Sequence, residues 1–326
     1  MNVKSRVRIG AVVGAAALAL GALAAPASAD PAPNSNGTPN YRVLAGVGSD
    51  TTQDVFNGLG TSINSGSLVA SYNATGSTTI KTRATNCVIP RPNGSSAGIN
   101  ALRNAVDNNT GCLDFARSSR GVSNSSTTDL TFIPFGKDAV TFAVRGNSAL
   151  PKALTTAQLT SIYTCDTTSL NGVALTPLLP QAGSGTRSFF LGALGLTEDT
   201  FGSCVDDTVQ EHNGEALNSA GDIAPYSIAQ YIAQTNQPGD VADRRGASVL
   251  GSVDGVQPVT GGALNTAFPY NRDVYNVVPT NKLTTANIAD TFVGGTSKVC
   301  QQTAVINDYG FGTIANCGST VLKGES

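Results

Sequence analysis

A unit of strand, turn and helix recurs along the chain and constrains its fold more than any other feature. Apolar runs such as residues 41–48 and 113–116 end in turns of small or polar residues, and apolar residues at helical spacing follow several such turns. Strands that alternate with helices predict an α/β protein with mostly parallel sheets. Ligands of such proteins bind beyond the carboxyl ends of the strands, where the turns gather.

The turn at residues 183–186 offers more hydrogen-bond donors than the others. It reads Gly-Ser-Gly-Thr, it is followed by Arg187, and Phe189, Phe190 and Leu194 then recur at helical spacing. At a helix N-terminus the free backbone N–H groups and the positive end of the helix dipole both favour an anion. The turn therefore predicts a site for a phosphate-like group, with Arg187 as a cation that can bind it in a fork. A serine or threonine that only caps a helix accounts for the same residues.

The N-terminus has the composition of a secretory signal. Three basic residues precede an uncharged apolar run, which ends at the small-residue motif Ala-Ser-Ala at residues 27–29. This pattern predicts a signal peptide over residues 1–29. No cysteine follows the apolar run to carry a lipid anchor, so the mature protein is predicted to be secreted. Residues 30–40 are rich in proline, asparagine and serine, and predict a disordered leader.

Charge and cysteine content narrow the class of protein. The formal net charge is −2, tryptophan is absent and no basic stretch occurs, which argues against a nucleic-acid partner. An even number of cysteines in an exported chain predicts disulfides. Pairing between nearest neighbours closes the shortest loops and is preferred: Cys87–Cys112, Cys165–Cys204 and Cys300–Cys317. With one histidine and no Cys-x-x-Cys motif, the sequence predicts neither a metal nor a cofactor.

Signatures of catalysis are few. The sequence has neither a Gly-x-Ser-x-Gly motif nor a Gly-x-x-x-x-Gly-Lys-Ser/Thr loop for a nucleotide. Its one histidine, His212, stands in a polar segment that predicts solvent exposure, and Asp206 and Asp207 predict a solvated turn. The two arginines of residues 117–120 are also predicted to be solvated. The chain is therefore predicted not to be an enzyme. The alternative is a secreted hydrolase, which would need His212 in the ligand cleft.

Four turns occur in one order along the chain and together resemble a known family. They read Gly-Ser-Asp-Thr-Thr at residues 48–52, Gly-Ser-Ser-Ala-Gly at 94–98, Asp-Phe-Ala-Arg-Ser-Ser-Arg at 114–120 and Gly-Ser-Gly-Thr-Arg at 183–187. The series resembles the phosphate-binding subunit of bacterial phosphate ABC importers, over essentially the whole mature chain. The resemblance implies a two-lobed class II periplasmic-binding-protein fold, in which each lobe is a mostly parallel sheet flanked by helices.

The resemblance also implies the limits of the lobes and the ligand contacts. Lobe I would comprise residues 41–136 plus 272–326, and lobe II residues 137–271. Residues 130–136 and 139–144 are predicted to form two strands joined by a short loop. The chain would cross between the lobes near residues 134–138 and return near residues 268–271. Carried over position by position, the ligand contacts fall on Asp50, Thr51, Ser95, Ser119, Ser184, Gly185 and Thr186.

The chain departs from the family at three positions. Asp50 stands where a threonine is frequent, Ser119 where some members have an aspartate, and Pro180 where some have an arginine. Arg187 would then supply the missing cation, with Arg120 as a second candidate, and Asp50 would supply the acid. An acceptor at Asp50 predicts a preference for phosphate, which retains a proton near neutral pH, over sulfate.

The function implied is that of a monomeric, secreted solute-binding protein that clamps phosphate or a similar oxyanion between its lobes. It would serve ABC-type uptake, with an ABC permease as partner, or scavenging. Besides the hydrolase, a binding protein for a small ligand other than phosphate remains an alternative.

Overall fold

The computed structural model describes residues 30–31 and 39–325. The predicted signal peptide, residues 1–29, lies outside the described residues, as do residues 32–38 of the predicted leader. Asp30, the first described residue, forms an ion pair with Arg91 at 2.7 Å. Within the described part of the chain, every helix is too short or too polar to cross a membrane.

Seven α-helices are interspersed with the strands along the described chain. The α-helices are α1 (Gln53–Ser62), α2 (Ser95–Asp107), α3 (Thr156–Tyr163), α4 (Gly185–Ala193), α5 (Ile228–Asn236), α6 (Ala286–Phe292) and α7 (Thr303–Asp308). The strands are β1 (Leu44–Gly48), β2 (Val69–Ser71), β3 (Thr79–Lys81), β4 (Val88–Pro90), β5 (Phe115–Ser118), β6 (Leu130–Arg145), β7 (Ala153–Leu154), β8 (Ser169–Leu170), β9 (Val173–Ala174), β10 (Thr176–Pro180), β11 (Asp206–Val209), β12 (Asp222–Ser227), β13 (Ser248–Leu250), β14 (Ser252–Val253), β15 (Val259–Thr260), β16 (Ala263–Leu264) and β17 (Asn271–Pro279). Short 3₁₀ turns lie at Ile63–Gly66, Gly214–Ala216 and Thr280–Lys282.

One nine-stranded sheet has the order β11-β10-β12-β6-β17-β5-β1-β2, with β13 also paired to β6. At one end β2, β1 and β5 are parallel, and at the other end β11, β10 and β12 are parallel. The long strands β6 and β17 lie between these two groups and are antiparallel to their neighbours. The predicted α/β class is confirmed, with one group of parallel strands on each side of the two long strands.

Strand β6 differs from the prediction of two strands and a loop, because it is continuous from Leu130 to Arg145. Pro134 has no N–H to donate, and its neighbour β17 shifts register between Val274 and Tyr275, directly opposite it. The shift lets pairing resume at Gly136, so no loop is needed.

Two large apolar cores flank the central strands. The first contains Phe56, Phe115 and Phe135, and the second contains Phe142 and Phe190. Helix α5 contributes side chains to both cores, although its sequence falls inside the predicted lobe II. The exact limits of the lobes therefore stay a prediction.

The three disulfides are Cys87–Cys112, Cys165–Cys204 and Cys300–Cys317, the nearest-neighbour pairs preferred from the sequence. They close loops with sequence separations of 25, 39 and 17 residues. Each disulfide stays within one predicted lobe, so none of them joins the two predicted lobes.

Candidate functional site

The turn between β1 and α1 is buried and leaves polar atoms unpaired. Ser49, Asp50, Thr51 and Thr52 are fully shielded from solvent. Both carboxylate oxygens of Asp50 and the hydroxyls of Ser49 and Thr52 have no hydrogen-bond partner among the described residues. A buried polar atom left unpaired costs about 1–3 kcal/mol. Such a concentration of buried, unpaired polar atoms in one turn is typical of a ligand-binding site.

Four of the predicted contacts meet where α2, β5 and α4 adjoin. The hydroxyl of Ser95, at the start of α2, accepts the backbone N–H of Ser119 at 3.1 Å, and the two hydroxyls are 3.3 Å apart. A Cβ atom built on Gly185 would lie 2.3 Å from Ser95 Oγ and 2.4 Å from Ser119 Oγ. Only glycine permits this approach. Ser184 caps α4 by accepting the N–H of Arg187 at 3.0 Å.

Thr51 links this group to a second cluster. Its hydroxyl lies 3.1 Å from the hydroxyl of Thr186 and 2.9 Å from Nε2 of His212, and it donates to Glu211 Oε2 at 3.1 Å. All four side chains are at most 2% exposed. The predicted contacts Thr51 and Thr186 are therefore brought together. Beside them lie His212, which only the hydrolase alternative placed in the cleft, and Glu211, which no prediction placed in the site.

The burial of His212 corrects the prediction of a solvated histidine, and it has a topological cause. Residues 206–209 form strand β11, not the predicted solvated turn, and β11 lies parallel to β10. Glu211 and His212 follow the carboxyl end of this strand, which is the edge where the other turns gather. The short run Asp-Asp-Thr-Val lacks the apolar alternation that indicates a strand, so β11 could not be predicted from the sequence. Without this strand, the position of Glu211 and His212 at its carboxyl end could not be predicted either.

The hydrogen bonds of His212 determine which of its nitrogens carries the proton. The backbone N–H of Ser227 donates to Nδ1 at 3.3 Å, so we assign the proton to Nε2, which faces Thr51 and Glu211. An Nε2–H group donates to the Thr51 hydroxyl and cannot take its proton. The position of His212 beside Thr51 meets the condition set for the hydrolase alternative. With this tautomer, however, the imidazole is not arranged as a general base toward Thr51.

The same tautomer bears on metal binding. One ligand atom each of Asp50, Glu211 and His212 lies within 4.8 Å of the others, a spacing that a metal ion could bridge. A histidine that binds a metal through Nε2 normally donates its Nδ1–H to an acceptor. Here a backbone donor, Ser227 N–H, faces Nδ1. The residues therefore do not fit a metal centre that uses His212.

Two arginines lie near the buried carboxylate of Asp50, and neither forms a close ion pair with it. Burial raises the pKa of Asp50 above its ordinary value, against the lowering effect of Arg244, whose Nη2 lies 4.0 Å from Oδ1. Arg117 lies behind the turn and is fully buried, which corrects the prediction of a solvated side chain. Burial lowers the pKa of Arg117 to about 10, and its N–H groups point to the carbonyls of Ser49, Gly46 and Gly48.

A buried ion pair supports the start of α4. Arg272 of β17 contacts Asp138 of β6 at 2.8 Å, and both side chains are at most 3% exposed. The guanidinium also donates to the carbonyl of Gly185 at 3.2 Å and to the hydroxyl of Thr186 at 2.9 Å. Arg272 thus fixes two predicted contacts, although nothing in the local sequence singled it out.

The two arginines named from the sequence are engaged elsewhere. Arg187 donates to Glu198 at 2.8 Å and to Asp207 at 2.9 Å, and its Nη1 also reaches the carbonyl of Pro180 at 3.0 Å. Arg120 donates to the hydroxyl of Ser96 at 2.8 Å. These contacts fasten Arg187 to β10 and β11, so we now expect it to position α4 and not to be the main cation of the site.

Comparison with solved structures identifies the fold. A protein from Clostridium perfringens, described as a phosphate ABC transporter substrate-binding protein with bound phosphate, superposes with a TM-score of 0.60 at 16% identity, covering 83% of this chain and 99% of that one. An ABC-type phosphate transport receptor from Vibrio cholerae gives a TM-score of 0.55 at 16% identity, covering 83% of this chain and 100% of that one. At this identity the likeness establishes the fold alone. No curated protein matches the sequence.

The sequence also matches a protein family over most of its length. Residues 36–294 match the PBP superfamily domain. This segment includes β1 to β17 and every residue of the site described above, from Asp50 to Arg272. With its fold and its sequence in agreement, the chain belongs to the PBP superfamily domain family.

Proposed function

We propose that the protein is a secreted solute-binding protein that holds phosphate or a similar oxyanion between two lobes. The observation that carries the proposal is the meeting of three helix starts, those of α1, α2 and α4, around the hydroxyls of Ser95, Ser119 and Thr186. Helix N-termini and hydroxyls are the donors that bind phosphate oxygens. The unpaired carboxylate of Asp50 supplies an acceptor for an oxyanion that keeps a proton.

The similar structures also support a role as a solute-binding protein. Both similar structures named above are described as phosphate-binding components of ABC transport. By analogy, residues 41–136 with 272–326 form one lobe and residues 137–271 the other, and an ABC permease receives the ligand. The predicted signal peptide supports secretion. We infer no catalytic role for His212, because its Nε2–H group donates to the Thr51 hydroxyl and cannot take the proton of that hydroxyl.

A calorimetric titration tests the proposal. Protein stripped of bound ligand by unfolding and refolding is titrated with phosphate and with sulfate at one neutral pH. We expect saturable binding of phosphate and much weaker binding of sulfate, because a carboxylate among the donors repels an oxyanion without a proton. Absence of binding for both anions would refute the proposal.

Variants locate the site. Ser95→Ala removes one hydroxyl and should weaken phosphate binding by about ten- to a hundredfold, the equivalent of one hydrogen bond to a charged group. Asp50→Asn should narrow the preference for phosphate over sulfate, because the amide no longer repels sulfate and can donate to it. Asp107→Asn, an exposed acid at the end of α2, is the matched control and should change neither affinity.

A further inference from the structure

Glu211 is a buried acid, and one of its two carboxylate oxygens is unpaired. The side chain is fully shielded from solvent. Its Oε2 accepts the hydroxyl proton of Thr51 at 3.1 Å and lies 3.2 Å from Nε2 of His212. Its Oε1 has no hydrogen-bond partner within the described part of the chain. Because Thr51 also contacts Thr186, Glu211 belongs to the same site as the predicted ligand contacts.

Glu211 and Asp50 lie close enough to repel each other. An oxygen of each carboxyl group lies within 4.8 Å of the other, and neither side chain is exposed. Two ionised carboxylates at this distance and away from water repel strongly. Burial alone would raise the pKa of Glu211, but the hydrogen bond from His212 and the charge of Arg272 leave it below its ordinary value. Burial raises the pKa of Asp50.

The charged groups around the pair do not neutralise both acids. Arg272 is already paired with Asp138, and Arg244 approaches Asp50 only to 4.0 Å. The groups that act on the pair are His212, Arg244, Arg272 and, farther along α1 and β5, Asp54 and Arg117. The single N–H of His212 donates to the Thr51 hydroxyl and lies 3.2 Å from Glu211 Oε2, so it gives the unpaired Oε1 no donor. Gln210 lies near Asp50, and Ser184 lies near Glu211. Two oxygens of Asp50 and one of Glu211 nevertheless have no donor within hydrogen-bond distance among the described residues, and these three acceptors face the ligand.

The chemistry of the ligand follows from both halves of the site. The starts of α1, α2 and α4 and the serine and threonine hydroxyls favour a negatively charged group. The three acceptor oxygens require a group that donates protons. A metal ion does not meet the requirement, because the Nε2 proton keeps His212 from coordinating it. An oxyanion that carries more than one O–H group meets both requirements.

We propose that Glu211 is a second proton acceptor beside Asp50, and that the site selects oxyanions bound with two protons, such as dihydrogen phosphate. This inference rests on the proposed function. It makes Glu211 a specificity-determining residue that discriminates by the number of protons. Sulfate brings no proton to the site. A phosphate monoester or a phosphonate can bring one, so both bind less well than inorganic phosphate.

The number of protons taken up on binding tests the inference in the unmodified protein. Phosphate is titrated calorimetrically in pairs of buffers that differ in ionisation enthalpy, at a pH alkaline enough that free phosphate keeps one proton and Asp50 of the empty protein is ionised. If bound phosphate holds two protons, uptake approaches one proton per phosphate. The apparent affinity then falls about tenfold for each further pH unit. Methylphosphonate, titrated in parallel, should bind at least about tenfold more weakly than phosphate.

The Glu211→Gln variant assigns the second proton. Its amide can donate to a phosphate oxygen, so uptake should fall close to zero and the steep pH dependence should flatten. Sulfate affinity should rise in the same variant. Glu215→Gln, in the same segment but exposed, is the matched control and should retain the uptake of the wild type.

The outcomes separate the inference from the proposed function. Phosphate binding without proton uptake, or uptake that Glu211→Gln leaves unchanged, overturns the role of Glu211 and leaves a phosphate-binding protein. No phosphate binding by the wild type at any pH overturns both. Should Glu211→Gln fail to fold, the proton count of the wild type and the comparison with methylphosphonate still decide the question.

Discussion

Removal of Arg272 should destabilise the protein strongly, because it would leave a buried acid without its partner. Arg272 and Asp138 face each other in the pairing of β17 with β6, and their side chains meet at 2.8 Å with almost no solvent contact. Breaking a buried ion pair by removing one partner costs about 3–5 kcal/mol. Asp138 keeps two donors, the hydroxyl of Ser227 at 2.8 Å and the N–H of Ala229 at 3.1 Å.

Because these two donors still stabilise the Asp138 carboxylate, we expect Arg272→Met to lower the unfolding free energy by about 3 kcal/mol, the lower end of the range for breaking a buried ion pair. Methionine retains an apolar stem against Phe189, on whose ring the guanidinium now lies at 5.2 Å. The substitution also removes the donor to Thr186, so phosphate affinity should fall in the same variant.

Urea unfolding of a double-mutant cycle measures the interaction. Arg272→Met and Asp138→Asn are compared singly and together, and the double variant should lose clearly less stability than the sum of the two single losses. Arg245→Met is the control, because Arg245 pairs with Asp243 at the surface and such a pair contributes about 0–1 kcal/mol. Additive losses, or a loss for Arg272→Met no larger than for Arg245→Met, would refute the reasoning.

Three other substitutions have expected outcomes. Arg187→Ala should change phosphate affinity by less than about threefold while lowering unfolding stability, since its donors are used within the protein; calorimetry and urea unfolding check the two halves separately. Replacing Cys300 and Cys317 with alanine should cost about 3 kcal/mol by chain entropy, measured by urea unfolding. Gly185→Ala should reduce stability by about 1–3 kcal/mol and weaken phosphate binding, because the new methyl group would meet the hydroxyl of Ser95; a variant with wild-type affinity would contradict this.

Much of the candidate site could be predicted because parallel strands place their carboxyl ends at one edge. The turns that contain Asp50, Ser119 and Ser184 each follow such a strand, and local composition identifies them as turns. The disulfide pairing could also be predicted, because cysteines that are nearest neighbours along the chain are also close in space.

The rest of the site depends on contacts that local sequence does not encode. Arg272 meets Asp138 across a sequence separation of 134 residues, and Thr51 meets Glu211 across 160. Which arginine is buried also depends on the partners that tertiary structure supplies. Arg187 finds two carboxylates near the surface, whereas Arg117 finds backbone carbonyls inside the protein. Local amino-acid composition therefore does not distinguish the buried Arg117 from Arg187.

The titration of Asp54 gives a test of the electrostatics behind the site. Asp54 lies in the first turn of α1 and lines a cavity of about 430 Å³ together with Asp30, Asp240 and Asp308. Burial raises its pKa from 3.8 to about 6, against the lowering effect of Arg244. Because the pKa is higher in the folded protein than in the unfolded chain, the folded state binds the proton more tightly.

The sign of the pH dependence follows from this shift. The stabilising contribution of Asp54 is fully present below about pH 4 and is lost as the pH rises through about 6. A shift of about two units corresponds to about 3 kcal/mol, which we reduce to about 1–2 kcal/mol because the side chain keeps some contact with solvent. Asp54→Asn cannot ionise, so its unfolding free energy relative to the wild type should rise by that amount between the two pH values. Urea unfolding of both proteins across this range measures the difference, with Asp107→Asn as the exposed control. A difference between Asp54→Asn and the wild type that does not change with pH would show that Asp54 titrates normally and that the polar surroundings of α1 compensate for its burial.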